Sequence, residues 1–396
     1  MRRQILVTWV LLAAAMMLTA CVAVPVPVAP PMGQSAASLP KVSVILTAFG
    51  DKDATFGETQ PYLKALTERV DRTPDSAYCK GLYEGKILDQ PVLVATTGTG
   101  ADNSGPCMQE ILQMYGRRVR EVIWSGIAGA TPAVGGIVDA KTGKLKTEVE
   151  PVMIGDVCIS PLAWNYDLHF SSVADWKRAA ESDPVATDGW WRMRESSGKT
   201  DVLGFENVEQ YAIADKALAD ELLAAAGAVE WPSLAADTQK VVQNFFPGGS
   251  IRPVRVFDYT QCAEVASNTF WHGVVEDRLS RQYLADLINA SGYTAQTVTE
   301  DDVVVLSAME AVAWMSVVER WTAKTGVSIP MVVIRAASNY DHVPLDADGQ
   351  PRAGADGKPL TAMEDILHNF QESGASFAWQ NAALPVFKMF EMRQQE

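Results

Sequence analysis

Short apolar segments recur along this chain and constrain its fold more than any other feature. They cover residues 41–46, 91–96, 121–125, 152–160, 303–306 and 331–335. The clearest helical patterns between them cover residues 61–70, 107–115 and 310–325. Apolar strands that alternate with helices predict an α/β domain with a mixed or parallel sheet flanked by helices. Because such sheets bind ligands at the carboxyl ends of their strands, we expect the functional site in the loops that follow them.

Composition and charge narrow the class of protein. The chain has 396 residues, of which 48% are hydrophobic and 20% charged, as expected for a folded protein with a large core. Its formal net charge is −15, whereas a general nucleic-acid binder needs a surplus of Lys and Arg. No Cys/His spacing typical of a zinc site occurs. We therefore expect neither a nucleic-acid partner nor a bound metal.

The first twenty residues have the pattern of a secretory signal. Arg2 and Arg3 precede an apolar stretch of about 14 residues, shorter than the roughly 20 residues of a membrane-spanning helix. Residues 18–21 resemble the bacterial lipobox, in which Cys21 becomes the lipid-modified first residue; an ordinary signal peptide is the alternative. Residues 21–40 are rich in Pro and predict an extended tether. We expect the lipid anchor to be the only contact with the membrane. The expected location is the bacterial cell envelope, at the outer membrane facing the periplasm.

The remaining chain, residues 41–396, is predicted to form one domain with an insertion. Residues 172–250 are rich in Trp and Ala and predict a mainly helical insertion at about this position. Four cysteines follow Cys21, and an oxidising compartment permits two disulfides in three possible pairings. Free buried thiols are the alternative. The four are Cys79, Cys107, Cys158 and Cys262.

Six short motifs occur in a characteristic order. They are T-G-T-G-A-D-N at 97–103, G-I-A-G at 126–129, G-D-V at 155–157, F-W-H-G at 270–273, M-E at 309–310 and R-A-A-S-N-Y-D at 335–341. Their order and spacing resemble the nucleoside phosphorylase/nucleosidase superfamily, most closely its purine nucleoside permease branch. The resemblance spans about residues 41–345 without the insertion. It implies a nucleoside phosphorylase-like fold and a nucleoside ligand, and it leaves a homo-oligomer open.

The resemblance implies roles for individual residues. Glu310 matches the family glutamate that accepts hydrogen bonds from the ribose hydroxyls, and it is predicted to begin a helix, whose dipole favours a carboxylate. Phe270 matches the aromatic residue that stacks on the base, and Met309 is expected to line the sugar. The other predicted substrate-binding residues are Gly98, Gly100, Asn103, Gly129, His272 and Ser338.

Asn339 departs from the nucleosidase pattern. Nucleosidases of the family carry an Asp there that donates a proton to the purine, whereas an amide can only donate or accept hydrogen bonds. We therefore predict that Asn339 contacts the base, as in phosphorylases that act on 6-oxopurines. Asp341 follows two residues later. It either replaces the missing acid or is a solvent-facing turn residue, and the sequence favours the turn residue.

The residues that would hold phosphate also depart from the family. Trp124 and Lys52 stand where phosphorylases use arginines, so the bidentate phosphate clamp is missing. Water is therefore the expected nucleophile, with phosphate left open as a co-substrate and no other cofactor expected. Asp51 is the predicted base, and Asp53 and Glu58 are the alternatives.

The sequence as a whole predicts cleavage of the N-glycosidic bond of nucleosides, purine nucleosides above all, by hydrolysis or phosphorolysis. Glu310, Asn339 and Asp51 are the predicted catalytic residues. A non-catalytic nucleoside-binding protein that serves uptake is the main alternative. A structural envelope protein that has lost its ligand is a third.

Overall fold

A mixed β-sheet forms the centre of the fold. The structure is a computed structural model that describes residues 40–139, 142, 144–167, 169–170, 192–193, 211–246, 251–268, 273–346, 348–353, 357–358 and 374–395. The described residues belong to one compact unit, Pro40–Glu396. The strands are β1 (Val42–Thr47), β2 (Thr67–Asp71), β3 (Gly81–Ile87), β4 (Gln90–Thr96), β5 (Val119–Ala130), β6 (Val157–Ser160), β7 (Leu162–Asn165), β8 (His169–Phe170), β9 (Arg192–Met193), β10 (Tyr211–Ile213), β11 (Val256–Phe257), β12 (Cys262–Ala266), β13 (Val304–Ala308) and β14 (Met331–Tyr340). The helices are α1 (Gln60–Ala65), α2 (Ala101–Tyr115), α3 (Lys216–Gly227), α4 (Ala236–Phe245), α5 (Val274–Ser291), α6 (Ala311–Thr325) and α7 (Gly374–Gln395).

Strand β5 is the central strand of the sheet. It pairs in parallel with β1 and with β14, and β4 lies parallel to β1 on its other side. The strand order is β10-β7-β12-β13-β5-β1-β4-β3-β2, and β14 connects β5 to β6. Several contacts, including β13 with β5 and β3 with β4, are antiparallel. The predicted α/β class, with a mixed sheet flanked by helices, is confirmed.

Alternate residues of the central strands pack on opposite faces of the sheet. In β1, Val44 and Leu46 belong to the core cluster that contains residues of α2 and α6, whereas Ile45 belongs to the cluster that contains residues of α3 and α7. All six residues of β1 are buried. A strand covered on both faces has an apolar side chain at nearly every position, which explains the continuous apolar segments of the sequence.

Three elements end at different residues in the structure than the sequence pattern predicts. β5 continues past Ser125 through residues 126–129, which the sequence predicts as a turn, because their backbone pairs with β14 and β13. β14 likewise continues past Arg335 to Tyr340. The helix predicted over residues 61–70 ends at Ala65, because the next residues form β2 and pair with β3.

Two disulfides link elements that lie far apart in the sequence. Cys79 bonds to Cys107 of α2, and Cys158 of β6 bonds to Cys262 of β12. The structure therefore selects one of the three pairings that the sequence left open, and the alternative of free thiols is wrong.

The predicted insertion is described only in part. Residues 211–246 contain β10, α3 and α4, and β10 pairs with β7 of the main sheet. Leu218 and Leu222 of α3 are buried in the main core. This part is therefore integral to the α/β domain. Residues 1–39, with the predicted signal, Cys21 and most of the tether, lie outside the described residues. None of the helices in the described ranges is both long and apolar enough to span a membrane.

Candidate functional site

A cavity of about 420 Å³ lies where several central strands end. Residues of β5, β13 and β14, and of the segments that follow β1, β4 and β13, supply its walls. The described lining residues are Ala48, Phe49, Phe56, Glu58, Thr99, Ile127, Ala128, Gly129, Ser307, Ala308, Met309, Glu310, Arg335, Ser338 and Asn339. Five predicted site residues are among them, namely Gly129, Met309, Glu310, Ser338 and Asn339. The structure thus brings together residues from distant motifs.

Arg335 anchors a buried ionic cluster at this cavity. Its Nε and Nη2 donate to Glu264 at 2.8 and 3.2 Å, and Nη2 also donates to Glu310 Oε2 at 2.9 Å. Nη1 donates to the carbonyl of Ile127 at 3.2 Å. The side chains of all three ionic partners are at most 4% exposed. Buried charges of this kind persist because each is paired and hydrogen-bonded.

Glu58 adds a third carboxylate beside this cluster. Its Oε1 accepts the backbone N–H of Ile127 at 2.7 Å, and its Oε2 accepts that of Ala48 at 2.6 Å. Burial raises the pKa of Glu58 to about 7; the charge of Arg335 opposes this shift and that of Glu310 adds to it. A carboxylate that lines a cavity and titrates near neutral pH is suited to accept a proton from a bound molecule.

Gly126 allows Glu58 and Arg335 to approach β5. A Cβ on this residue would collide with Glu58 Oε1 and lie 2.9 Å from Arg335 Nη1. The first glycine of the G-I-A-G motif is therefore explained by close approach of side chains to a strand and not by a turn.

Glu310 is held by backbone and side-chain donors together. It occupies the N-cap position of α6, as predicted, but its side chain makes no capping hydrogen bond to that helix. Oε1 accepts the N–H of Gly100 at 3.1 Å, and Oε2 accepts the N–H of Met309 at 3.3 Å in addition to the bond from Arg335. The orientation of this carboxylate is thus fixed before any ligand arrives.

The glycine-rich loop before α2 shapes the site without lining most of it. Gly98 and Gly100 have φ angles of +98° and +91°, which a residue with a side chain rarely adopts. Asn103 Nδ2 donates to the carbonyl of Thr99 at 2.6 Å, and Thr99 is the lining residue of this loop. Gly98, Gly100 and Asn103 are not among the described residues that line the cavity; Gly100 donates to Glu310 from this loop, and the contact of the three residues with a substrate stays a prediction.

Gly129 marks a second point of close approach on β5. A Cβ there would collide with the Asp341 carboxylate and lie 2.7 Å from Ser307 Oγ and 3.2 Å from Asn339 Nδ2. Ser338 Oγ donates to Asn339 Oδ1 at 2.8 Å. Asn339 Nδ2 donates to the carbonyl of Tyr340 at 3.3 Å, and its second N–H remains as a donor on the side of Gly129.

Asp341 is not the solvent-facing turn residue that the sequence favoured. It is only 1% exposed, because its backbone continues the contact with β5 at Ala130. Oδ1 accepts a hydrogen bond from Ser307 Oγ at 2.5 Å, and Oδ2 has no partner among the described residues. Burial raises the pKa of Asp341 well above its ordinary value; the bond from Ser307 opposes this shift and the charge of Asp277 adds to it. The protonated form is therefore favoured.

Asp51, the predicted base, does not line the cavity. Its carboxylate accepts the backbone N–H of Thr55 at 3.0 Å and the Thr55 hydroxyl at 2.5 Å, which lower its pKa. These bonds hold the side chain within its own exposed loop. Of the three acids considered for this role, Asp51, Asp53 and Glu58, the structure places only Glu58 among the described residues that line the cavity.

Trp124, which the resemblance places where phosphorylases use an arginine, is a core residue. Trp124 is buried, stacks on Trp314 with ring centres 6.2 Å apart, and lies 5.0 Å from the guanidinium carbon of Arg335. Among the described lining residues Arg335 is the sole cation, and Glu264 and Glu310 already occupy it. The described part of the chain also contains no group of three or more acidic, His or Cys side chains placed to hold a metal ion.

The chain resembles solved structures of nucleosidases at low sequence identity. A 5'-methylthioadenosine/S-adenosylhomocysteine nucleosidase from Neisseria meningitidis, in complex with methylthio-immucillin-A, has a TM-score of 0.45 and 15% identity, covering 89% of this chain and 100% of its own. One from Colwellia psychrerythraea, in complex with adenine, has a TM-score of 0.46 and 14% identity, covering 89% and 96%. A further one from Borrelia burgdorferi, described as putative, has a TM-score of 0.46 and 16% identity, covering 89% and 100%. No protein-family model matches the chain, and no curated protein matches its sequence. At these TM-scores the likenesses assign no activity to this chain.

Sequence reasoning missed several residues of the site. Phe270 and His272, which it predicted as substrate contacts, lie outside the described residues. Glu264 and Ser307 were not considered, although Glu264 carried a usable signal. Glu264 lies inside the apolar segment C-A-E-V-A, which indicates burial. A buried acid rarely lacks a cationic partner, so this position predicts a basic residue that pairs with it from elsewhere in the chain. Arg335 is that partner, 71 residues later.

Proposed function

We propose that this protein hydrolyses the N-glycosidic bond of a nucleoside, with a purine as the base. The observation that carries the proposal is the cavity in which Glu58, with a pKa raised to about 7, lies beside the Arg335–Glu310 ion pair. N-glycoside cleavage needs a group that holds the sugar while positive charge develops on it, and a base that takes a proton from water. Glu310 and Glu58 are suited to these two roles.

The proposed reaction assigns one task to each group. Glu310 accepts hydrogen bonds from the ribose hydroxyls, and the buried carboxylates stabilise the positive charge that grows on the ring as the bond to the base breaks. Arg335 fixes Glu310 and balances part of the negative charge. Glu58 accepts the proton of the water that attacks the anomeric carbon, and Asn339 donates a hydrogen bond to the base through Nδ2.

Water is a better nucleophile for this cavity than phosphate. A phosphate ion carries at least one full negative charge and needs guanidinium or ammonium donors of its own. Arg335 already spans two carboxylates, and Trp124 occupies the position of the family's arginine. Adding an anion beside Glu58 and Glu310 would also bring like charges together in a buried site.

The test is release of free base from inosine, guanosine, adenosine and uridine by the purified protein, with and without phosphate. The proposal expects base and free ribose from at least one purine nucleoside without phosphate. Release that requires phosphate would replace hydrolysis with phosphorolysis. Nucleoside-induced thermal stabilisation without release would identify a binding protein instead, since a ligand of the native state raises its stability.

The pH profile of this activity is expected to show an acid limb. Because Glu58 accepts a proton only when it is ionised, and its pKa is about 7, kcat/KM should fall about tenfold per pH unit below that value. The measurement is kcat/KM between pH 5 and pH 9, with circular dichroism at each pH to exclude unfolding. A profile that stays flat down to pH 5 contradicts the role of Glu58.

We also propose that the protein is exported and lipid-anchored at Cys21, where the lipobox pattern lies. The two disulfides support export, since structural disulfides persist mainly in oxidising compartments. Cells that express the protein should incorporate labelled palmitate into it, and Cys21→Ser should abolish the incorporation. Equal labelling of both forms would contradict a lipid anchor at Cys21.

A further inference from the structure

The polar groups around Gly129 lack an obvious role in sugar binding. Ser307 is partly exposed to the cavity, and the buried carboxyl of Asp341 lies directly behind it, joined by the 2.5 Å hydrogen bond. The second oxygen of Asp341 has no partner among the described residues. A buried polar atom left without a partner costs stability, so its retention calls for an explanation.

We propose that Asp341 supplies a proton to the departing base through the hydroxyl of Ser307. This inference rests on the proposed function and completes it, because the leaving purine anion needs a proton that the Asn339 amide cannot transfer. Gly129 is the backbone position at which Asp341, Ser307 and Asn339 converge, and it lines the cavity. The amide of Asn339 then orients the base, and the hydroxyl of Ser307 delivers the proton.

The proton and electron transfers balance. The bond between the anomeric carbon and the base nitrogen breaks, and its electron pair stays with the base. For this transfer the 2.5 Å hydrogen bond reverses: Asp341 Oδ1 carries the proton and donates it to Ser307 Oγ, while Ser307 turns its own hydroxyl proton to the base, gives it up and receives the one from Asp341. Water forms the new carbon–oxygen bond and loses a proton to Glu58. After product release, Asp341 regains a proton and Glu58 loses one, so the net reaction is nucleoside plus water to base plus ribose.

The surroundings of Asp341 favour its protonated form. The charged group that acts on it is Asp277 of α5, whose carboxylate accepts hydrogen bonds from Thr131 at 2.6 Å and Arg281 at 3.1 Å. Burial raises the pKa of Asp341 more than the bond from Ser307 lowers it, which favours the protonated carboxyl. A protonated carboxyl within reach of a serine hydroxyl can pass its proton outward in one concerted step.

The experiment compares two substrates whose leaving groups differ. A purine nucleoside needs a proton on its leaving base, whereas p-nitrophenyl β-D-ribofuranoside releases a stable anion that needs none. Asp341→Asn and Ser307→Ala should each lower kcat for inosine or guanosine by about 100-fold but leave kcat for the nitrophenyl riboside within about threefold of wild type. The exposed control Asp348→Asn should match wild type on both substrates.

The outcomes separate this inference from the proposed function. If wild-type protein cleaves neither substrate, the proposed function fails. If wild type is active and both variants lose the two activities equally, Asp341 and Ser307 have a structural role and the relay is wrong. Ser307→Ala removes the hydroxyl without touching the buried carboxyl, so it keeps the test valid if Asp341→Asn does not fold. If Asp341 is the acid, the wild-type purine profile should also show an alkaline limb, where Asp341 loses its proton, and this limb should disappear in Asp341→Asn.

Discussion

Glu58→Gln should lower kcat for nucleoside hydrolysis by about 100- to 10,000-fold, the range expected for loss of a general base. The variant keeps the size and one acceptor oxygen of the side chain, so either Ala48 or Ile127 retains its hydrogen bond. It cannot take a proton from water. We expect KM to change much less than kcat, because Glu310 and Asn339 remain to bind the substrate. Initial rates of base release measure both constants.

Asp51→Asn is the matched control for this prediction. Asp51 lies in the same chain segment, but its carboxylate is engaged by Thr55 in an exposed loop. The change should leave kcat within about twofold of wild type, as is usual for surface substitutions. A large loss with Asp51→Asn and none with Glu58→Gln would restore the base that the sequence predicted and contradict the structural assignment.

Arg335→Met should lower the free energy of unfolding by about 3–5 kcal/mol, because it leaves buried carboxylates without their cation. Glu264 loses two hydrogen bonds and Glu310 loses one, and both side chains stay inside the protein. Burial already raises the pKa of Glu264 despite the nearby arginine. Without Arg335 we expect that pKa to rise further. Urea unfolding at pH 7 measures the loss.

A second change tests whether the loss comes from the unpaired charge. In Arg335→Met with Glu264→Gln, one uncompensated carboxylate is gone, so the double variant should be more stable than Arg335→Met alone. The exposed Arg117→Met is the control and should change stability by less than about 0.5 kcal/mol. If Arg335→Met costs no more than this control, the buried cluster does not contribute as the structure indicates.

The sequence predicted the framework of the fold because the central strands, such as β1 and β5, are buried on both faces. The apolar segments over residues 41–46 and 91–96 became β1 and β4, and residues 310–325 became α6 with Glu310 at its start. These elements depend on local patterns that a single sequence displays. The sequence did not predict how far β5 extends. Gly126 and Gly129 favour a turn locally, but their extended conformation is set by pairing with β14.

The site was predictable where short motifs carry the resemblance to the superfamily. Glu310, Met309, Ser338 and Asn339 were predicted from the M-E and R-A-A-S-N-Y-D motifs, and all four line the cavity. Glu58 was one of three acids in a loop, and nothing local separates it from Asp51. The difference is burial, which raises the pKa of Glu58 and is produced by contacts with Ile127, 69 residues away. The burial of Asp341 likewise depends on tertiary packing, which the sequence around it does not reveal.

One measurement tests the central claim, attack by a water molecule that Glu58 activates in this cavity. A purine nucleoside is incubated with an excess of wild-type protein in water enriched in heavy oxygen. The reaction is quenched at once with borohydride, which reduces the released sugar and so retains the oxygen at the anomeric carbon. Unlabelled ribose treated in the same way corrects for exchange. We predict one heavy oxygen in each sugar from wild-type protein and from Asp51→Asn, and release of sugar by Glu58→Gln that is about 100- to 10,000-fold slower. Sugar phosphate as the product, or equal release by Glu58→Gln, would contradict the account.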